Sequence, residues 1–105
     1  MKNNLKKYDF CLIIPTFDEK ENIFELKLAL DNNLAKSNYF TCFVDDSRDN
    51  LTKDSINSLF EKKNTKVFHR KKNDRCAAVK HGFNWCFKNI KSNFFIEMDA
   101  DLSHQ

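Results

Sequence analysis

Short apolar runs alternate with amphipathic segments along this chain, and this alternation limits the folds that it can adopt. The apolar runs, which are rich in β-branched and aromatic residues, are Tyr8–Ile14, Tyr39–Val44, Thr65–His69 and Phe94–Asp99. Such runs are typical of strands buried on both faces, as in a parallel sheet. Helical spacing of apolar residues marks the intervening segments, at about Asn22–Asn33, Leu51–Lys63 and Ala77–Ile90. The order predicts an α/β fold with a mainly parallel four-stranded sheet and helices on both faces.

The size of the chain allows one domain. Its 105 residues suffice for a single core and leave little margin beyond it. We interpret residues 1–7, which are polar and basic, as a flexible leader and residues 8–105 as the domain. The formal net charge of +3 is too small to indicate binding to nucleic acid.

Cysteine usage and hydropathy indicate a cellular compartment. The cysteines, at positions 11, 42, 76 and 86, show neither a C-x-x-C pair nor the spacing of metal ligands. The sequence has no signal peptide and no apolar run near eighteen residues, the length that a membrane span requires. A reducing cytoplasm is the simplest location.

Charged residues follow every predicted strand, at the point where the strand ends. The sets are Asp18 with Glu19, Asp45 with Asp46, Arg70 with Arg75, and Asp99 with Asp101. In open parallel sheets, ligands bind beyond the carboxyl ends of the strands, where the strand order reverses. The four sets together predict a binding site at this edge.

Asp99 and Asp101 are the most specific of these residues. Residues two apart in an extended strand point to the same side, so the two carboxylates can converge. Carboxylate oxygens suit Mg²⁺ or Mn²⁺, which usually bind substrate phosphates as well. A metal that joins the chain to a diphosphate is one interpretation, and a solvated acidic turn is the other.

Two common nucleotide sites and one signalling domain do not fit the sequence. Gly82 is the only glycine, so neither G-x-G-x-x-G nor the P-loop pattern can be written. A response-regulator receiver domain would place its acidic pair after the first strand, whereas Asp45 and Asp46 follow the second.

Four sequence blocks resemble family 2 glycosyltransferases, and in particular the branch of polyprenol (dolichol) phosphate mannosyltransferases. The blocks are 13–23 (IIPTFDEKENI), 44–47 (VDDS), 78–82 (AVKHG) and 97–104 (EMDADLSH). They occur in the family's order, and the resemblance covers residues 9–105. The last block is the most specific because it is much longer than a bare D-x-D.

The resemblance implies a Rossmann-like GT-A fold and a nucleotide-diphospho-sugar donor, either GDP-mannose or a UDP-sugar. By the same resemblance Pro15, Phe17 and Glu19 would cradle the nucleoside. Asp45 would accept a hydrogen bond from the base, and Asp46 would support that loop. Simple turn chemistry is an equally good interpretation of Asp46.

The resemblance also implies a site for Mg²⁺ or Mn²⁺. Asp99 and Asp101 would hold the metal on the diphosphate, with Ser103 nearby, and these two aspartates would carry catalysis. The family usually has a glycine-rich G-x-G where this chain has Asp74-Arg75-Cys76. Arg75 could offer its guanidinium to the diphosphate instead, whereas Asp74 beside it would oppose an anion.

The chain ends at Gln105, where the family continues into its acceptor-binding half. We therefore expect a truncated GT-A domain whose fourth strand exposes Phe94, Phe95 and Ile96 at an edge. Sugar transfer to a polyprenyl phosphate at the cytosolic membrane face would then need a partner chain for the acceptor half. The alternatives are a nucleotide-sugar-binding module without catalysis and an inactive remnant.

Overall fold

The computed structural model describes residues 7–102, so Ser103 and residues 1–6 of the predicted leader lie outside the described part. The strands are β1 (Lys7–Thr16), β2 (Tyr39–Asp45), β3 (Thr65–His69) and β4 (Lys91–Glu97). The helices are α1 (Lys20–Asn33), α2 (Leu51–Leu59) and α3 (Arg75–Asn89), and a 3₁₀ turn (Lys62–Asn64) precedes β3. The predicted alternation of strands and helices is confirmed.

All described strand pairs are parallel, and the strand order is β3-β2-β1-β4. The chain moves from β1 outward to β2 and β3, then returns to place β4 on the other side of β1. The order therefore reverses between β1 and β4. A crevice beyond the carboxyl ends of these two strands is the expected ligand position.

Alternate residues of β1 and β2 supply two separate cores because successive side chains of a strand point to opposite faces. Cys11, Ile13, Cys42 and Val44 pack with α3 on one face. Leu12, Ile14 and Phe43 pack with α1 and α2 on the other. The helices thus cover both faces, as predicted.

Several element boundaries differ from the sequence prediction, and the largest shift of a strand is at β4, which runs from Lys91 to Glu97 and not from Phe94 to Asp99. Helix α3 begins at Arg75 and not at Ala77, because the side chain of Asp74 caps it by accepting a hydrogen bond from the Ala77 N–H at 3.1 Å. Helix α2 ends at Leu59, since Phe60 is extended and buried in the core. Strand β1 begins one residue early, at Lys7, which pairs with Lys91.

Strand β4 forms an edge of the sheet within residues 7–102, where it pairs with β1 alone. Phe94 is 60% exposed and Ile96 is 40% exposed, as predicted for an edge. Phe95 differs, because its ring packs on Phe87 of α3 with a centroid distance of 4.5 Å. Within the same described range, none of the helices combines the length and apolarity needed to cross a bilayer.

Gly82 sets how closely α3 approaches the sheet. A Cβ at this position would lie 2.8 Å from Ile13 Cγ2 and 3.1 Å from Val44 Cγ2. Both neighbours are fully buried and β-branched, so they cannot easily turn away. Glycine permits the contact between α3 and the β1–β2 pair.

We expect Gly82→Ala to lower the free energy of unfolding. Overpacking a core costs about 1–3 kcal/mol, and the gain in helix propensity of about 1 kcal/mol offsets only part of it. Asn84→Ala, on the exposed side of the same helix, gains propensity without a clash and is the control. Urea unfolding should show a loss for the first variant and a small gain for the second. Stabilisation of both would contradict the packing argument.

Candidate functional site

A cavity of about 260 Å³ lies at the carboxyl end of the sheet, at the point where the strand order reverses. Its walls come from the residues after β1, the residues after β4 and the start of α3. Among the residues predicted for the site, those that line the cavity are Pro15, Phe17, Glu19, Asp46, Arg75, Asp99 and Asp101. Asp45 is not among them, and Ser103 lies outside the described residues.

The loop after β1 is held by hydroxyl groups from the β2–α2 region. Asp18 has a left-handed backbone, with φ of 52°, and its N–H donates to Ser47 Oγ at 2.7 Å. The Glu19 N–H donates to Thr52 Oγ1 at 3.0 Å, and Thr52 is buried. These hydrogen bonds join residues about thirty positions apart in the sequence and hold the backbone of Glu19 in place. The sequence analysis did not predict these contacts.

Glu19 lies close enough to the carboxylates after β4 for their charge to raise its pKa. Burial raises the pKa of Glu19 most, and the charges of Asp101, Asp99 and Asp18 raise it further. A hydrogen bond from Asn22 Nδ2 at 2.6 Å opposes the rise. The loop after β1 and the loop after β4 therefore bring carboxylates to one cavity, where the ionised forms repel one another.

Glu19→Gln is expected to raise the unfolding temperature of the ligand-free chain at pH 7. An acid whose pKa is raised by folding costs stability when ionised, and the cost disappears as the pH falls through the raised pKa. Allowing for solvent screening, we expect a gain of about 0.5 kcal/mol, or roughly 2–4 °C. Melts from pH 7 to 4 should show the two chains converging, because neutral Glu resembles Gln. A constant difference across this range would contradict the interpretation.

Arg75 is the first residue of α3 and faces two acidic side chains, Glu97 at the end of β4 and Asp99 two residues later. Its guanidinium lies 2.7 Å from Glu97 Oε2 and also contacts Asp99 Oδ1. The hydrogen bond to Asp99 is the largest cause of the raised pKa of Arg75, burial opposes it, and the Glu97 hydrogen bond adds to it. A positive group thus stands directly against the predicted metal ligand.

Asp74 lines the cavity and caps the helix that begins there. Its carboxylate is turned to the helix, where Oδ1 caps the Ala77 N–H. Its own N–H donates to Asp46 Oδ2 at 2.9 Å. The N-terminus of α3, with its partial positive charge, forms one wall of the cavity.

Asp46 joins three elements at the cavity wall. Arg70 Nε donates to Asp46 Oδ1 at 2.8 Å and Arg70 Nη2 donates to Oδ2 at 3.2 Å. Both side chains are largely buried, at 11% and 4% exposure. With the bond from Asp74, the carboxylate connects the ends of β2 and β3 to the start of α3.

Asp45 is fully buried behind the cavity. Its Oδ1 accepts hydrogen bonds from Thr16 Oγ1 and Ser47 Oγ, both at 2.7 Å. Its Oδ2 has no hydrogen-bond donor within the described part of the chain, although His69 Nε2 lies 3.5 Å away. Sequence reasoning gave His69 no role here. A buried carboxylate oxygen without a hydrogen bond is energetically costly, and Asp45 Oδ2 can still accept one.

The donor set fits a divalent metal that is shared with a substrate. Asp99 and Asp101 line the same cavity as Glu19, whose pKa is raised mainly by burial and further by the charges of these two aspartates. Across residues 7–102, no three His, Cys, Asp or Glu side chains form a metal cluster by themselves. Mg²⁺ is commonly held by one or two carboxylates, with waters and phosphate oxygens completing its shell. The residues present match that arrangement better than an all-protein cage.

A parallel α/β sheet with this strand order and an acidic cavity at its reversal point is a Rossmann-like arrangement consistent with the GT-A fold. Comparison with protein families agrees, since the family described as Glycosyl transferase family 2 matches residues 11–105. The chain belongs to this family. The resemblance inferred from the four sequence blocks is therefore confirmed.

A more particular similarity is to a dolichol-phosphate mannosyltransferase of Pyrococcus furiosus. The two sequences are 38% identical over 94 residues. The aligned region covers 89% of this chain and 26% of the relative, so the chain spans about a quarter of the relative's length. The similarity supports glycosyl transfer as the general activity of the group to which the chain belongs.

Proposed function

We propose that this chain forms the donor-binding part of a glycosyltransferase and binds a nucleotide-diphospho-sugar together with Mg²⁺ or Mn²⁺. The observation that carries the proposal is the convergence of Glu19, Asp99 and Asp101 on one cavity at the strand-order reversal. GDP-mannose is the leading donor and a polyprenyl phosphate the leading acceptor, because the similar archaeal protein is named a dolichol-phosphate mannosyltransferase.

The cavity has two electrostatic walls that suit a diphosphate with its metal. The acidic wall holds Asp99 and Asp101, and the adjoining wall is the N-terminus of α3 with Arg75, which contacts Asp99. Helix N-termini bind phosphates through free N–H groups and the helix dipole. Asp99 and Asp101 would hold the metal, which would supply Lewis-acid stabilisation to the departing nucleoside diphosphate. A lipid phosphate is already anionic, so transfer to it requires no strong base from this chain.

The nucleoside would lie on the β1 side of the cavity. Pro15 and the 40%-exposed ring of Phe17 line that side and offer an apolar surface to a base or ribose. Asp45 Oδ2 could accept a hydrogen bond from a base N–H. Because this oxygen is buried, the base would reach it only after the covering residues move.

Removal of the metal tests the proposal directly. We expect GDP-mannose to bind the chain in the presence of Mn²⁺ and to bind at least about tenfold more weakly after chelation with EDTA, because the acidic wall then repels the diphosphate. Isothermal titration calorimetry with UDP-glucose in parallel would compare the two donors. Equal affinity with and without Mn²⁺ would overturn the metal assignment, and no binding under either condition would overturn the donor site.

Transfer is a separate question from binding. Labelled GDP-mannose mixed with a polyprenyl phosphate should yield a labelled lipid if the chain, alone or with a partner chain that supplies acceptor contacts, completes the reaction. Binding without transfer or release of the sugar would favour a non-catalytic nucleotide-sugar-binding module. A lipid acceptor would also place the chain at the cytosolic face of a membrane.

A further inference from the structure

We propose that Arg75 is an internal counter-ion that occupies the metal-binding carboxylate of the donor-free chain and moves to the diphosphate when the donor binds. This inference rests on the proposed donor site. It concerns the middle residue of Asp74-Arg75-Cys76, the segment where the resemblance led us to expect a glycine-rich G-x-G. Its consequence is that free metal binds weakly and that metal and donor bind cooperatively.

The guanidinium of Arg75 lies against two carboxylates. Arg75 contacts Asp99 Oδ1 and Glu97 Oε2 together, and its side chain lines the cavity. Glu97 and Asp99 are two residues apart at the end of β4, which brings both carboxylates to the same side. The planar fork of Arg can bridge two such groups, which an ammonium group does less well.

A divalent metal and Arg75 would compete for the carboxylate of Asp99. A divalent ion at Asp99 would bring its charge close to the guanidinium, and like charges at short range disfavour each other. The metal must therefore displace Arg75 from Asp99 or bind against its repulsion. Either way the apparent affinity of the free metal falls.

Arg75 is about half-exposed, and a bound diphosphate would offer it a second partner. Its side chain is 53% exposed, and ion pairs at such exposure contribute little to stability. It stands at the first turn of α3, where a diphosphate would meet the helix N–H groups. Phosphate oxygens are strong acceptors for a guanidinium, so a bound diphosphate would draw Arg75 away from Asp99 and leave that carboxylate to the metal.

The test measures Mn²⁺ binding, without any requirement for activity, by calorimetry with and without GDP. Arg75→Gln should bind free Mn²⁺ at least about fivefold more tightly than the unchanged chain, and the advantage should disappear or reverse with GDP. Lys88→Gln, which removes one positive charge from the exposed far end of the same helix, should behave like the unchanged chain. Thermal melts without metal should show that Arg75→Gln is folded, with an unfolding temperature close to that of the unchanged chain.

The outcomes separate this inference from the proposed function. Equal affinity of the unchanged chain and Arg75→Gln for free Mn²⁺, with GDP still promoting metal binding, would overturn the role of Arg75 and leave the donor site standing. A fivefold gain that persists undiminished with GDP would overturn the movement to the diphosphate. Absence of Mn²⁺ binding in every variant, with and without GDP, would overturn the metal site and this inference together.

Discussion

Arg70→Met should lower the free energy of unfolding by about 3 kcal/mol, because it leaves the carboxylate of Asp46 largely buried without its cation. Asp46 is 4% exposed, and Arg70 binds both of its oxygens. The N–H of Asp74 would remain as a donor, but one amide does not neutralise a charge. For a chain of this size, the loss corresponds to a fall of more than about 10 °C in the unfolding temperature.

Two further variants make this prediction specific to the ion pair. Arg48→Met removes an exposed arginine from the loop after β2 and should change stability by less than about 0.5 kcal/mol. Adding Asp46→Asn to Arg70→Met removes the unpaired charge and retains an acceptor for Asp74, so it should recover more than half of the loss. If Arg70→Met costs no more than the Arg48 variant, the pair is screened by solvent and does not stabilise the cavity wall.

The sheet and its ligand edge could be predicted because they depend on local pattern. The alternation of apolar runs with helical segments determines which strands are buried, and parallel strands place all their carboxyl ends together. Asp99 and Asp101 follow a strand within a few residues, so their place at the edge needs no knowledge of distant contacts. Glu19 follows β1 in the same way, and both loops do line one cavity.

The contacts inside the site could not be predicted, because they join residues far apart in sequence. Arg70 and Asp46 are 24 residues apart, and nothing in the local pattern near either residue selects the other. Arg75 illustrates the same limit. The sequence suggested that its guanidinium could bind a diphosphate, but no local pattern predicted the ion pairs that it forms with Glu97 and Asp99. Which partner a long side chain chooses depends on the docking of α3 against β4.

Asp45 and Asp46 are adjacent in the sequence but lie in different environments. Asp45 is the last residue of β2 and points into the interior. Asp46, one residue later, reaches the cavity wall and Arg70. Sequence alone assigned both to one loop. Successive side chains at a strand end point in different directions, so Asp45 and Asp46 reach different places. Which of the two points inward depends on the sheet register, which is not a local property.

Asp101→Asn should abolish most metal-dependent donor binding while leaving the fold intact. The substitution keeps the shape of the side chain but removes one of two carboxylates from the acidic wall. Losing a charged ligand of this kind costs about 3 kcal/mol, which raises the Kd for GDP-mannose in Mn²⁺ more than about a hundredfold. Stability of the ligand-free chain should stay within about 0.5 kcal/mol, since Asp101 is exposed and its charge adds to the repulsion felt by Glu19.

The matched control for Asp101→Asn is Asp54→Asn, which removes one exposed carboxylate from α2, outside the cavity lining. It changes net charge equally and should leave donor binding unchanged. Calorimetric titration of both variants and melts without ligand would separate loss of binding from loss of fold. If the two variants bind GDP-mannose alike in Mn²⁺, the second carboxylate is not a ligand, and the acidic loop after β4 is a solvated turn. If only the Asp101 variant loses binding, the carboxylates that repel one another in the ligand-free chain are also the groups that attract the metal.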